Sequence, residues 1–282
     1  SKKVSNKSWI LFCRNCYKKR GAVKKVDIGD RVFVSYGGHG FYNIKAEASL
    51  EKIPDNVSLQ EAVFTRIASF PLLALRRSQL EIGESVAVVG LGMLGLFGVQ
   101  LAKIARGLPV VAVGNRENRK KLAVEFGADA VFEPDDMDLE NKIRECTKIT
   151  GAGGPDVVIE TSGTTSGLKS ALKYVSKNGR VLVNGCNRVT DEVIDFYKYV
   201  YLKGVSIIGA HDKTRLPYNS GKGNWTAHRD YLTVLGYMAD KRLKAEPIIS
   251  DIIDPGECNQ VYRNLLEDRK FPMGILWDWT KC

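Results

Sequence analysis

Three glycines, spaced Gly90-x-Gly92-x-x-Gly95, follow directly on the apolar run Ser85–Val89 and open a stretch from Leu94 to Ala105 with helical spacing of apolar residues. A strand that turns sharply into a helix presents the helix's unsatisfied backbone N–H groups, and its positive dipole end, to whatever lies above the turn. Glycine suits each position for a different reason. Gly90 permits the tight turn, Gly92 lets the backbone approach a pyrophosphate, and Gly95 lets helix pack closely on strand. Gly90, Gly92, Met93, Leu94 and Gly95 are therefore candidate contacts to a dinucleotide. The pattern alone is weak, and a glycine-rich turn without ligand is the alternative. Its place inside a strand–turn–helix unit gives it weight.

The end of the next strand tells dinucleotides apart. An acid there would accept hydrogen bonds from the adenosine ribose diol and repel a 2′-phosphate. The strand Val110–Val113 ends instead in Gly114-Asn115-Arg116, and no carboxylate comes before Glu117. Gly114 leaves room, Asn115 can donate a hydrogen bond, and Arg116 can pair with a phosphate dianion through two N–H groups. Arg119 and Lys120 add positive potential. This pattern favours NADP(H) over NAD(H). The alternative is that Arg116 only caps the second helix.

These residues must be held by a frame. From residue 84 strands alternate with helices: strands at Ser85–Val89, Val110–Val113, Ala130–Phe132, Asp156–Glu160, Arg180–Asn184 and Ser206–Ile208, and helices at Leu94–Ala105, Arg116–Phe126, Leu139–Thr147 and Gly167–Val175. Nearly continuous apolar strands separated by helices imply a doubly wound parallel α/β sheet covered on both faces. Before it, Asp27–Val34 reads as a turn and a strand, and Phe41–Ala46 as a second strand. Residues 58–80 read as a helix opened by a Ser58/Glu61 capping box. After it come a loop at Pro217–Asn224, a helix at Trp225–Ala239, a strand at Pro247–Ile249 and a helix at Gly256–Leu266. Gly274–Trp279 is expected as a strand returning to the first domain. The expected division is a leader at 1–21, a β-rich domain from 22–75 and 210–282, and a nucleotide-binding domain at 76–209.

The 282 residues include 44% hydrophobic and 26% charged types, which excludes an intrinsically disordered chain. No apolar run approaches the roughly 20 residues of a membrane-spanning helix, so the chain reads as soluble and cytoplasmic, with no membrane partner. The formal charge of +10 is local: residues 1–31 hold ten Lys/Arg against two acids, which leaves +2 for the rest. A basic arm of this kind can bind nucleic acid, but with no recognition motif beside it a solvated leader is the preferred reading and a nucleic-acid partner is not expected. Cys13 and Cys16 form the one close cysteine pair. Without two further ligands they are read as reduced thiols rather than a zinc site.

The chain resembles the medium-chain dehydrogenase/reductase superfamily, which comprises zinc alcohol and polyol dehydrogenases and their zinc-free reductase relatives. The matching stretches are Val26–Val32, Lys52–Val57, Leu80–Val86, Val89–Gly95, Glu125–Asp129, Asp156–Gly163 and Gly179–Gly185. Their order is more specific than any one of them, and Val113–Arg116 looks like the Val-Gly-Ser-Arg stretch of NADP-dependent secondary alcohol dehydrogenases. The resemblance implies a Rossmann domain inserted in a GroES-like catalytic domain, with the active site in the cleft between them. It implies that Thr161, Ser162 and Gly163 lie near the nicotinamide, with Gly185 and Cys186 beside the next strand end. Separately, His211, just after the last strand, could hydrogen-bond cofactor or substrate, the alternative being a loop residue with no chemical role.

The departures concern metal. The family's early Gly-Cys-Gly and Gly-His-Glu segments are not present, Tyr36-Gly-Gly-His-Gly40 stands where the four-cysteine lobe would begin, and the position of the acidic third ligand is Arg66. Catalytic zinc is therefore not expected in this chain. Without it, a proton donor must serve the developing alkoxide. By position in the family, His39 is the first candidate, with Thr65 and Arg66 on the ligand-bearing helix next; a loop histidine with no chemical role is the alternative. The expected activity is NADP(H)-dependent hydride transfer with a small alcohol, polyol or carbonyl compound. The alternatives are a catalytically silent dinucleotide-binding protein and a shortened zinc-dependent alcohol dehydrogenase. Part of the catalytic domain is expected to be missing, and the apolar surface this would leave predicts a homo-oligomer.

Overall fold

The computed structural model describes residues 12–267 and 272–281. It divides into two compact units: the chain up to Arg66 together with Tyr231 onward, and Ile67–Asp230. The expected nucleotide-binding domain, 76–209, falls wholly inside the second unit.

In the second unit the strands are β4 (Val86–Val89), β5 (Val110–Val113), β6 (Ala130–Phe132), β7 (Val157–Glu160), β8 (Arg180–Val183) and β9 (Ser206–Gly209). They form one parallel sheet in the order β6-β5-β4-β7-β8-β9. Every residue of β4, β5 and β7 is buried, as strands covered on both faces must be. The connecting helices are α3 (Met93–Ile104), α4 (Glu117–Glu125), α5 (Leu139–Thr147) and α6 (Thr165–Tyr174). On one face Ala87, Val89, Val111, Val113 and Val158 pack with Leu139 and Ile143 of α5 and Leu172 and Tyr174 of α6. Gly98 of α3 brings its Cα against Val88 and Pro71 on the other: a Cβ there would sit 3.5 and 3.6 Å from their side chains. The chain runs outward from β4 through β5 to β6 and then crosses back to β7 on the other side of β4, so the loops after β4 and β7 leave the sheet in opposite directions.

The first unit opens with a three-stranded antiparallel sheet, β1 (Phe12–Asn15), β2 (Arg31–Val34) and β3 (Leu50–Lys52), with β2 central. Part of the expected leader is therefore a strand: Cys13–Asn15 pairs with Arg31–Phe33. Residues 1–11 lie outside the described residues. Cys16 packs on the small cluster of Val26, Val32 and Val34, and burial pushes the Cys13 thiol well above its usual value. Phe41–Ala46 is not a strand. Both edges of β2 are occupied, and the Asn43 side chain closes the loop on itself, accepting from Gly38 N at 2.6 Å and donating to Gly38 O at 3.0 Å.

The expected single helix over 58–80 is two, α1 (Leu59–Ala62) and α2 (Thr65–Ser78). The capping box forms as read, with Glu61 N donating to Ser58 Oγ and Ser58 N to Glu61 Oε2, both at 3.1 Å. The break follows when Phe64 N bonds Glu61 O at 3.1 Å, a tighter turn than an α-helix allows. Toward the end comes α7 (Ala227–Ala239), after which β10 (Ile249–Ile253), α8 (Cys258–Glu267) and β11 (Gly274–Trp277) form a strand–helix–strand unit. Two expectations change here. Pro247 lies in a 3-10 turn, Glu246–Ile248, so the strand begins only at Ile249. And β11 pairs in parallel with β10 rather than joining the first sheet.

One buried ionic cluster ties the ends of the second unit together. Asp230, fully buried, accepts from Arg215 Nε at 2.9 Å and faces Arg76 Nε at 3.0 Å. Arg215 also donates to Ser69 O and Oγ at 2.8 and 2.9 Å, and pairs with Asp212. Arg76 covers the Trp225 ring at 3.5 Å. Asp230→Ala removes the buried carboxylate that faces both the buried Arg215 and the partly buried Arg76. We expect it to lower unfolding free energy by roughly 3–5 kcal/mol, read as an earlier denaturant midpoint. A change under about 0.5 kcal/mol would show the cluster is not what holds these segments.

Candidate functional site

The glycine turn sits at the carboxyl end of the sheet, where open parallel sheets bind ligands. Gly90 has φ +90°, and a Cβ on it would lie 2.7 Å from Ser162 N. A Cβ on Gly95 would lie 1.8 Å from Gly90 O, so no other residue fits against the strand end. Gly92 differs: a Cβ there meets nothing within 4 Å. Its face is open, as a position reserved for a close ligand should be. The first intrahelical bond of α3 runs from Leu96 N to Gly92 O at 3.0 Å, leaving the N–H groups of Met93, Leu94 and Gly95 with no acceptor inside the helix. This cradle fits a pyrophosphate.

At the end of β5, Asn115 is exposed and Arg116 is the N-cap of α4. Gly114 is glycine for a reason of packing: a Cβ there would lie 2.7 Å from the Leu91 side chain. Burial and the neighbouring Arg116 charge both lower the pKa of Arg119, so two guanidinium groups stand close enough to repel, an arrangement that an anion relieves. Lys120 contributes less than its charge suggests. It is held by Glu117 at 2.9 Å and Glu133 at 2.5 Å, which push its pKa up to about 12.

Across β4 the ends of β7 and β8 interlock. Thr161 Oγ1 donates to Val89 O at 2.8 Å or Gly90 O at 2.7 Å. Gly163 has φ +69°, and its Cβ position lies 3.2 Å from Cys186 N. A Cβ on Gly185 would reach Gly163 N at 2.4 Å. Thr161, Ser162, Gly163, Gly185 and Cys186 are thus brought together beside the glycine turn. Cys186 is exposed, and Arg188 Nε donates to its sulfur at 3.3 Å. His211 follows β9 and caps a 3-10 turn, its Nδ1 accepting from Lys213 N at 3.1 Å. Sequence reading missed Glu160. An acid closing an apolar run reads as the end of a strand, yet this one is fully buried beneath the Ser162–Gly163 corner.

The catalytic candidates belong to the first unit. Thr65 is buried and its hydroxyl donates to Ala62 O at 2.6 Å, so it is committed to the helix start. Arg66 is buried with its guanidinium 3.5 Å from the centre of the Tyr36 ring. Tyr36 begins the loop that carries His39, and His39 meets Trp277 edge-on at 5.8 Å. Trp277 in turn stacks on Tyr262. Partial burial lowers the His39 pKa below its usual value. Among the described residues no group of three His, Cys, Asp or Glu side chains is placed to hold a metal ion, and a cation at position 66 cannot ligate one. Among the same residues no helix is long and apolar enough to cross a membrane.

Comparison with known proteins follows the same lines. Residues 94–215 match the family of zinc-binding dehydrogenases. The D-guloside 3-dehydrogenase of Shigella flexneri is 36% identical over 229 residues, which is 80% of this chain and 64% of that protein. The chain thus spans under two thirds of that relative's length. Galactitol-1-phosphate dehydrogenase of Escherichia coli superposes with a TM-score of 0.77 at 17% identity, covering 90% of this chain and 79% of the other. A zinc-binding dehydrogenase of Sinorhizobium meliloti, solved bound to NADP, superposes with a TM-score of 0.75 at 20% identity, covering 89% and 77%. The two structures share the fold, a Rossmann sheet accompanied by a GroES-like part. The family model over residues 94–215, the 36% identical relative and the order of the motifs along that fold together support the medium-chain dehydrogenase/reductase superfamily.

Proposed function

We propose that this chain is an NADP(H)-dependent oxidoreductase that moves a hydride between the nicotinamide and a small alcohol, polyol or carbonyl compound, without catalytic zinc. The observation that carries the reading is the glycine turn, in which Gly90 and Gly95 are closed by backbone while Gly92 faces open space. The Arg116–Arg119 pair at the end of β5 supports a 2′-phosphate over a free ribose diol. Bound NADP(H) supplies the hydride chemistry. The chain's own residues hold the phosphates through Met93, Leu94 and Gly95 N–H, hold the 2′-phosphate through Asn115 and Arg116, and line the nicotinamide side with Thr161–Gly163, Gly185, Cys186 and His211. His39, Thr65 and Arg66 are the proposed proton-handling groups. The proposed setting is the cytoplasm and the proposed assembly a homo-oligomer, supported by exposed apolar side chains such as Tyr42 and Ile44.

A second reading is a dinucleotide-binding protein without turnover. It draws on the Thr65 hydroxyl being committed to Ala62 O and on Arg66 being buried. Oxidation of any polyol or reduction of any carbonyl by the purified chain excludes it.

Three outcomes test the main reading. Arg116→Ala is expected to weaken NADPH binding by roughly 10- to 100-fold, the equivalent of about 1.5–3 kcal/mol for hydrogen bonds to a charged group, with NADH affinity unchanged. Equal loss for both cofactors in a fluorescence titration would sink the NADP(H) assignment. Gly92→Ala is expected to cost the fold about 1 kcal/mol or less, as an N-cap change, while weakening either dinucleotide by roughly tenfold or more. Unchanged binding would mean that the turn holds no pyrophosphate. Finally, dialysis against a chelator should leave NADPH affinity where it was, and elemental analysis should find zinc far below one per chain. Stoichiometric zinc would refute the zinc-free proposal.

A further inference from the structure

Glu160 closes β7 opposite Val89 of β4. Its main-chain carbonyl accepts from Asn184 N at 2.9 Å and Gly185 N at 2.7 Å, which joins β7 to the turn after β8. Its side chain is fully buried. One oxygen is used three times: Oε1 accepts from Ser162 N at 2.7 Å, Gly163 N at 3.2 Å and the Ser162 hydroxyl. The other, Oε2, is buried with no hydrogen-bond partner among the described residues. Burial pushes this carboxyl up from its usual range.

Fold stability alone does not account for this arrangement. A sealed carboxyl with an unsatisfied oxygen is costly, and an apolar side chain of similar volume commonly serves a core better. The three bonds at Oε1 all act on one feature, the Ser162–Gly163 corner. That corner forms a wall of the glycine turn: Ser162 N and Cα lie 2.7 and 2.8 Å from the Cβ position of Gly90. The corner stands on the far side of β4 from Arg116, because the sheet runs β5-β4-β7-β8. A dinucleotide laid across this edge with its adenosine end at β5 places its other half over β7 and β8.

We propose that Glu160 is a positioning residue for the nicotinamide half of the cofactor: its carboxyl fixes the Ser162–Gly163 corner and acts on the ligand through it, without touching the ligand. This rests on the dinucleotide reading above.

The test titrates the 282-residue chain by calorimetry with NADPH and with 2′,5′-ADP, which carries the adenosine end and no nicotinamide. Glu160→Ala should weaken NADPH about tenfold or more, equivalent to roughly 1.4 kcal/mol, and leave 2′,5′-ADP within about twofold. Glu160→Gln keeps an acceptor at Oε1 and should restore NADPH to within about threefold of the natural chain. Glu160→Asp draws that acceptor back by one methylene and should behave like Glu160→Ala; it decides the matter if Glu160→Ala does not fold. The proposal falls if Glu160→Ala or Glu160→Asp binds NADPH like the natural chain, if both ligands weaken together, or if Glu160→Gln shows no rescue. Failure of the natural chain to bind 2′,5′-ADP would instead overturn the cofactor reading, and this proposal with it.

Discussion

The second unit depends on backbones approaching each other at the carboxyl edge of its sheet more closely than any side chain allows. Gly95 lies so near Gly90 that a Cβ would overlap its carbonyl, and Gly185 and Gly163 stand in the same relation one strand further along. Close approach at these points brings the ends of β4, β7 and β8 into one continuous surface. Thr161 stitches it by bonding the carbonyls at the end of β4. Everything that could hold a ligand in this unit borders that surface, so the glycines act first as packing elements. Within the Gly90–Gly95 turn, Gly92 alone has open space at its Cβ position, so packing does not account for its being glycine.

Charge along this edge is arranged asymmetrically. The β5 end carries two arginines that disfavour each other, while the nearest lysine is spent on Glu117 and Glu133. The β7 end carries a buried acid whose charge is costly and whose hydrogen bonds face inward. Under the proposed NADP(H) reading, the 2′-phosphate end would lie at β5 and the nicotinamide end over β7 and β8. Net charge would not have shown this. The excess of positive charge lies in residues 1–31, and Lys19 and Lys25 there are already matched by Asp27 and Glu51.

The elements of the parallel sheet were legible because strands buried on both faces must be almost wholly apolar, and turn residues bracket them. Ala130–Phe132 and Leu139–Thr147 fall where the pattern places them, and the other elements of the sheet lie within two residues of it. Legibility failed where partners, rather than local pattern, decide the outcome. Phe41–Ala46 has strand-forming residues but no open strand edge beside β2, and Asn43 offers a competing loop. β11 reads as a strand from its own residues, yet nothing in them says that β10 is its neighbour. The site divides the same way. The glycine spacing and the Arg116 terminus stand in the chain as written. Glu160 required the fold, because only burial beneath Ser162 and Gly163 distinguishes it from a solvated acid at a strand end. The loss of Lys120 to two carboxylates likewise depends on Glu133 returning beside α4.

The first unit poses a narrower chemical question. A group that protonates an alkoxide at neutral pH needs a proton to give, and a group that takes one from an alcohol needs a free lone pair. His39 is exposed and meets Trp277 edge-on, and local desolvation lowers its pKa from the usual value. Thr65 has bound its hydroxyl hydrogen to Ala62 O, and a guanidinium such as Arg66 keeps its protons at any working pH. Among the three, only His39 can change its protonation state near neutrality, so any pH dependence of the proposed proton transfer would be carried by His39 rather than by Thr65 or Arg66.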